Sequence, residues 1–500
     1  MNTRIDLSSV TLETLNQLMD SRELSSVDLC SMCLQQIANL DGYTNAVTNI
    51  DPDALDYADR LDKERRSGVT RGVLHGIPIF VKDNIDTVGN LPTTAGSLAL
   101  AGNFTGSDAD VVRSLRMAGA VVLGKTNMSE WCNFRSDRAS SGWSSVAGQT
   151  KNAYSLTHSP GGSSSGSAVA ASVGMCVAAV GTETDGSLVG PASMNALVGI
   201  KPTIGTLSQR GIITLSHSYD TAGPLARSVI DAALMLNCMR ERSGKSSFHR
   251  AMSLSFLPAF ARKDGLKGKR IGFVEAYREL NEDEEHVIHD AIHVLRENGA
   301  IPVEGVVLEH LDRLEELCMN VICYEFKHGL ASYLSNANNQ TPIKTLSDII
   351  RFNENNADQV MPFFGQERLV RAQAEREFSN AEYLSAKEEI RRLTCTSGVD
   401  RTMREHRLDA LAARTIGRAW EIDLEAGDDR SPGAATWAAL AGYPSVSIPA
   451  GYIDGLPIGL LIFGRAYSEE DLLTIAYAFE QATKTRRPPQ WIQKDIISPQ

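Results

Sequence analysis

Two serines and one lysine supply the residue types that acyl-transfer chemistry needs. Ser163 lies in Gly161-Gly162-Ser163-Ser164-Ser165-Gly166-Ser167 and Ser187 in Gly181-Thr182-Glu183-Thr184-Asp185-Gly186-Ser187, two glycine-bearing turns whose serines stand 24 residues apart. In such a turn successive backbone N–H groups converge on one point, which suits an oxyanion formed beside Ser187. A serine hydroxyl is a weak nucleophile and needs a base. Upstream, an apolar run through Ile79, Phe80 and Val81 ends at Lys82. An ammonium in that setting is partly desolvated, which lowers its pKa and makes the free amine usable as a base. A strand-end lysine alone is ordinarily a solvated surface charge, so the two serine turns are what make Lys82 a candidate.

Those side chains need tight turns held between buried elements. Between the serines, Ala168-Val-Ala-Ala-Ser-Val-Gly174 has a small-residue helix pattern and Cys176-Val-Ala-Ala-Val180 reads as a buried strand. After Ser187, Pro191-Ala-Ser-Met-Asn-Ala-Leu197 opens a helix with proline in its first turn. Residues 11–20, 25–40 and 51–67 read as helices, the second with Ser25 and Asp28 at capping-box-like spacing. A core of about 72–240 alternates apolar strands with alanine- and glycine-rich helices. A strand at 269–274 and a helix at 286–298 follow, then a more charged, helical stretch at 308–406 predicted to cap one side of the sheet. Strands return at 446–449 and 458–463, and a helix at 468–483 follows. The pattern predicts one α/β domain over 1–500: a central mixed β-sheet covered by helices on both faces, with a helical elaboration.

The two serine turns and Lys82 together resemble the amidase signature family, whose serine, cis-serine and lysine triad hydrolyses carboxamides. The resemblance implies that Ser187 is the nucleophile, Ser163 the bridging serine after a cis peptide, and Lys82 the general base. It also implies that the N–H groups of Thr184, Asp185, Gly186 and Ser187 form the oxyanion hole. The likeness runs across most of the chain and is similar to the bacterial peptide amidases of that family, which remove the C-terminal amide of peptides. Gly124-Lys-Thr-Asn-Met-Ser-Glu-Trp131, Asn133-Phe-Arg-Ser136, Ser141-Gly-Trp-Ser-Ser145 and Asp220-Thr-Ala-Gly-Pro224 carry it. So do Tyr324-Glu-Phe-Lys327, Phe364-Gly-Gln-Glu367 and Gly455-Leu-Pro-Ile-Gly459. The implied activity is hydrolysis of a peptide or other primary carboxamide through an acyl-enzyme, with no metal and no organic cofactor.

Departures sharpen that expectation. The commonest family pattern after the oxyanion loop is Gly-Gly-Ser-Ile-Arg, whereas this chain reads Asp185-Gly186-Ser187-Leu188-Val189. Peptide amidases share the loss of that arginine, which favours them over the glutaminyl-tRNA branch with its partner subunits. At Ala412-Ala413-Arg414-Thr415 the peptide amidases carry proline after alanine. Arg414 therefore either lines the pocket, moving preference toward an acidic acyl group, or points to solvent. An acyltransferase on the same scaffold, in which an amine intercepts the acyl-enzyme, is the alternative function.

Several other motifs are decoys. Gly119-Ala-Val-Val-Leu-Gly124-Lys125-Thr126 satisfies the P-loop expression, but its interior is an apolar strand and a helix precedes it. Gly162-Ser-Ser164-Ser-Gly166 satisfies the nucleophile-elbow expression without the buried strand that must precede it. His75, His158 and His217 lie near the signature loops but lack a supporting serine–histidine motif. Cys30 and Cys33 sit in an amphipathic helix pattern with no second pair nearby, which favours packing over metal or redox chemistry. The net charge of −12, from 49 basic and 61 acidic residues, offers no basic face for phosphates and argues against nucleic acid as partner. No apolar run approaches the roughly 18 residues of a membrane span, and the N-terminal stretch lacks an apolar signal core, so a cytoplasmic protein is expected.

Overall fold

The computed structural model describes residues 5–240, 259–275, 281–335, 341–374, 380–429 and 433–491. Eleven strands form one mixed sheet. Their spatial order is Val47–Ile50, Val121–Thr126, Pro78–Lys82, Ala178–Glu183, Thr221–Ala226, Val198–Lys201, Ser445–Ile453, Leu456–Phe463, Ala410–Arg414, Arg270–Val274 and Ile301–Val306. The central strands, such as Pro78–Lys82, Ala178–Glu183 and Leu456–Phe463, are buried along their whole length. That burial explains their continuous apolar runs, since a strand covered on both faces has no solvent side to alternate toward.

Helices flank the sheet. Ser165–Ser172 lies across Pro78–Lys82, Val121–Thr126, Ala178–Glu183 and Thr221–Ala226. Its small residues permit that approach: a Cβ on Gly166 would stand 2.2 Å from Ala46 O and 2.7 Å from Asn127 N. The predicted capping box opens helix Ser26–Thr44, with Asp28 N–H donating to Ser25 Oγ at 3.0 Å and Ser25 N–H to Asp28 Oδ2 at 3.1 Å. Cys30 and Cys33 are buried in its core-facing side.

Three strands that feed the candidate site run parallel, Pro78–Lys82 beside both Val121–Thr126 and Ala178–Glu183. Thr221–Ala226 runs antiparallel to the last of these, Thr221 opposite Glu183. The loops after Lys82, Thr126 and Glu183 and the loop before Thr221 therefore meet at one sheet edge, the carboxyl end where α/β folds place ligands.

Two elements differ from the sequence reading at this edge. The strand expected at 176–180 spans Ala178–Glu183, so Thr182 and Glu183 are strand residues and the turn proper is 184–187. The following helix is Val189–Met194, starting two residues before Pro191. The helical stretch 308–406, apart from 336–340 and 375–379, which lie outside the described residues, reaches these loops. Phe326 of helix Leu311–Leu334 packs edge-on against Trp131 and Phe134, with ring centroids 5.8 and 5.2 Å apart. Buried Arg135 donates to the carbonyls of Phe364 and Gly365, both at 3.1 Å.

Candidate active site

Lys82 ends its strand fully buried, and its Nζ stands 2.7 Å from Ser163 Oγ, 2.8 Å from Thr182 Oγ1 and 3.2 Å from Thr182 O. Asn84 Nδ2 donates to the same Thr182 hydroxyl at 3.1 Å and to Ile213 O at 3.1 Å. Burial holds the lysine pKa below its ordinary value, and Cys132, Asp220 and Glu183 pull it partly back. A neutral amine has two N–H donors and one lone pair. With both donors engaged by Thr182, the lone pair is left for the Ser163 hydroxyl.

The Gly162–Ser163 peptide is cis. A Cβ at Gly162 would come within 2.4 Å of Ser129 Oγ and 2.9 Å of Ser141 Oγ, so any larger residue before Ser163 would force those side chains aside. Backbone contacts fix both serine turns, Ser129 N–H donating to Ser163 O at 3.2 Å and Ser164 N–H to Ser187 O at 3.1 Å.

Ser187, 8% exposed, lines a cavity of about 420 Å³ together with Thr184, Asp185, Gly186 and Gly162. Gly186 has φ +72°, a left-handed conformation that glycine adopts without steric cost. Glu183 Oε2 takes the N–H groups of Leu188 at 2.9 Å and Val189 at 3.0 Å, which closes the far side of the turn. Among the described residues no acceptor engages the N–H of Gly186 or of Ser187, which leaves them available to an oxyanion. Phe134, Leu215, Met319, Ile322, Ile416 and Trp420 give the remaining wall an apolar part, and Asn133, Ser141, Thr436, Glu315 and Arg368 give it a polar and charged one.

The structure thus brings Lys82 and Ser163 into hydrogen-bond contact and sets Ser187 with residues 184–186 on the neighbouring cavity wall. A family model described as Amidase matches residues 28–473. The chain belongs to the amidase family. A probable amidase of Arabidopsis thaliana is 35% identical over 98% of this chain and 93% of its own length. The crystal structure of the peptide amidase PAM in complex with the competitive inhibitor chymostatin superposes with a TM-score of 0.91 at 45% identity, covering 97% of this chain and all of that one. The native peptide amidase of Stenotrophomonas maltophilia gives 0.89 at 44% identity, over 96% and 98% of the two chains. This amidase is an amidohydrolase whose mixed sheet flanked by helices matches amidase signature structures.

Other candidates from the sequence fall outside the cavity of this amidase. Lys125 of the P-loop look-alike is fully buried on strand Val121–Thr126, donating to Ile85 O and, at 3.1 Å, to Thr93 Oγ1, so it cradles no phosphate. Ser164 is buried and donates to Thr182 O at 3.0 Å. His75 bonds Leu61 O at 2.9 Å, His158 faces Ser155 Oγ at 2.8 Å, and His217 lies 3.3 Å from Glu325. Arg414 neither lines the pocket nor points to solvent: its side chain is 1% exposed and pairs with Glu284, itself 5% exposed. Arginine in a buried strand is tolerated because the helix Glu282–Glu297 delivers that carboxylate. Among the described residues no helix is long and apolar enough to cross a membrane, and no His, Cys, Asp and Glu group has the makings of a metal site.

Sequence reasoning missed Thr182, Asn84, Cys132 and Asp220. Cys132 enters the cavity lining because Trp131, Cys132 and Asn133 all have left-handed φ, of 50°, 54° and 67°. Asp220 is pushed up to about 7 by burial, offset in part by the Thr184 hydroxyl, the N–H groups of Leu215 and Ser216, and Lys82. Thr182 and Asp220 both lay inside stretches already singled out, but nothing in their local sequence marks them as neighbours of Lys82.

Proposed function

We propose that this amidase cleaves the terminal carboxamide of peptides through a Ser187–Ser163–Lys82 triad. The observation that carries the reading is the 2.7 Å contact between buried Lys82 Nζ and Ser163 Oγ, behind a cavity that Gly162 and Ser187 line. Neutral Lys82 takes the Ser163 proton while Ser163 takes that of Ser187, whose oxygen attacks the amide carbon. Negative charge develops on the carbonyl oxygen against the N–H groups of 184–187, each such donor being worth roughly 3–4 kcal/mol. The proton returns through Ser163 to the departing nitrogen, ammonia leaves, and water enters by the reverse path to free the acid and Ser187.

The likeness to peptide amidases at 44–45% identity favours peptide amides as substrates, and the cavity offers them both an apolar wall and the charged residues Glu315 and Arg368. The whole chain acts as one amidase domain, a reading supported by a single sheet that takes strands from Val47 to Phe463.

The test is ammonia release from N-acylated dipeptide amides without ATP, with Ser187→Ala as blank. Activity in the parent and a drop of at least about 10⁴-fold in the variant is expected. Undiminished turnover in Ser187→Ala removes Ser187 as nucleophile. An inactive parent whose Ser187 is still labelled by a fluorophosphonate would point away from peptide amides as substrates.

A further inference from the structure

Helix Leu311–Leu334 and loop 213–220 supply neighbouring parts of the cavity wall, the helix through Cys318, Met319 and Ile322 and the loop through Leu215. One buried side chain joins them. Glu325, 2% exposed, accepts from Ser216 Oγ, from Ser218 N–H at 3.0 Å, from Ser218 Oγ at 2.5 Å and from Tyr383 Oη. His217 Nε2 at 3.3 Å and Lys387 Nζ at 3.7 Å approach the same oxygen. Burial raises the Glu325 pKa, but the hydroxyls of Ser216, Ser218 and Tyr383 and the Ser218 N–H outweigh it, so the net displacement is downward. The group therefore stays an anion at neutral pH, with its donors in place.

The loop is tied at its other end by Asp220, which accepts the N–H of Leu215 at 2.7 Å and of Ser216 at 3.3 Å. Ser216 thus gives its hydroxyl to Glu325 and its N–H to Asp220. Asp220 in turn meets the Thr184 hydroxyl and leads into the strand whose Thr221 pairs with Glu183. Hydrogen bonds join Glu325, Ser216 and Asp220, and the pairing of Thr221 with Glu183 carries the connection to the strand that leads into the Ser187 turn.

We propose that Glu325 is a positioning residue for amide cleavage: it fixes loop 213–220 against the cavity helix and, through Ser216 and Asp220, holds the Thr184 end of the Ser187 turn. The proposal rests on the role given to Ser187 above. Glu325 does not line the cavity. Its effect falls on contacts made in the transition state, where a small misplacement of the turn weakens the oxyanion donors more than it weakens ground-state binding.

The experiment compares Glu325→Gln with the parent in the full-length chain, resolving kcat and KM for a peptide amide well below the Tm of each. Glutamine keeps the size but withdraws the charge and one acceptor. The expected result is a kcat about tenfold lower with KM changed less than about twofold, smaller than outright loss of an oxyanion donor. Ser216→Ala, which cuts the same line at a smaller side chain, is expected to give the same signature more weakly and decides the matter if Glu325→Gln does not fold. A lower Tm with kcat and KM at parental values, or a loss carried wholly by KM, overturns the proposal. A parent that releases no ammonia and takes no fluorophosphonate at Ser187 overturns instead the reading on which it rests.

Discussion

Thr182 decides how Lys82 presents itself. Its carbonyl and hydroxyl lie 3.2 and 2.8 Å from Lys82 Nζ, so both donors of the free amine are engaged and the lone pair faces Ser163. In the proposed mechanism activity requires neutral Lys82. The rate should therefore rise with pH through a lysine pKa that burial places below the ordinary value. Thr182→Val removes an acceptor that favours the charged form as well as the orientation of the free one. Two effects are expected together: the rising limb of kcat/KM moves to lower pH, and the plateau falls about tenfold. A full pH–rate profile of the variant checks both, and an unmoved limb would detach Thr182 from the base. The contact between Lys82 and Ser163 was legible in sequence because serine turns and strand ends announce themselves locally through glycine and apolar runs. Thr182 was not, because its closeness to Lys82 comes from strand pairing between segments 100 residues apart.

At the scale of elements, the same distinction separates what was read from what was not. Helix Ser26–Thr44 was legible from Ser25 and Asp28, whose contacts are three residues apart. Arg414 was left between pocket and solvent because its partner Glu284 is 130 residues away on another element. The pair joins strand Ala410–Arg414 to helix Glu282–Glu297, and Glu284 also takes the N–H of Arg418 at 2.9 Å. Arg414→Leu would leave that carboxylate buried without its cation, at an expected cost of about 3 kcal/mol or more. Thermal or denaturant unfolding measures the loss. Preference between acidic and neutral acyl groups should not change, and a changed preference would return the guanidinium to the substrate pocket. The helical region was foreseen as helical, but the contacts that dock it were not, because they depend on Arg135 reaching carbonyls some 230 residues on.

For the whole molecule, the sheet order matters more than the strand count. The hairpin Ser445–Ile453 and Leu456–Phe463 sits in the middle, between Val198–Lys201 on one side and Ala410–Arg414 on the other. Removing it does not trim an edge; it parts the sheet. A chain ended at residue 441 is expected to show no cooperative thermal transition in calorimetry, since among the described residues six strands on one side and three on the other lose the hairpin that joins them. A sharp transition in that chain would show that the two parts fold separately.

The hairpin's position also sets the timing of the protein's birth. All the strands that carry Lys82 and Ser187 have left the peptidyl-transferase centre once Ala226 is added, yet strand Val198–Lys201 must wait for Ser445–Ser447 to pair with it. At ribosomal speeds of about 5–20 residues per second, that wait is roughly ten to fifty seconds. Through that interval the nascent chain holds Lys82 and Ser187 in a sheet with an open, apolar edge. A message cut short before strand Ser445–Ile453 should yield sticky, silent fragments rather than weakened enzyme.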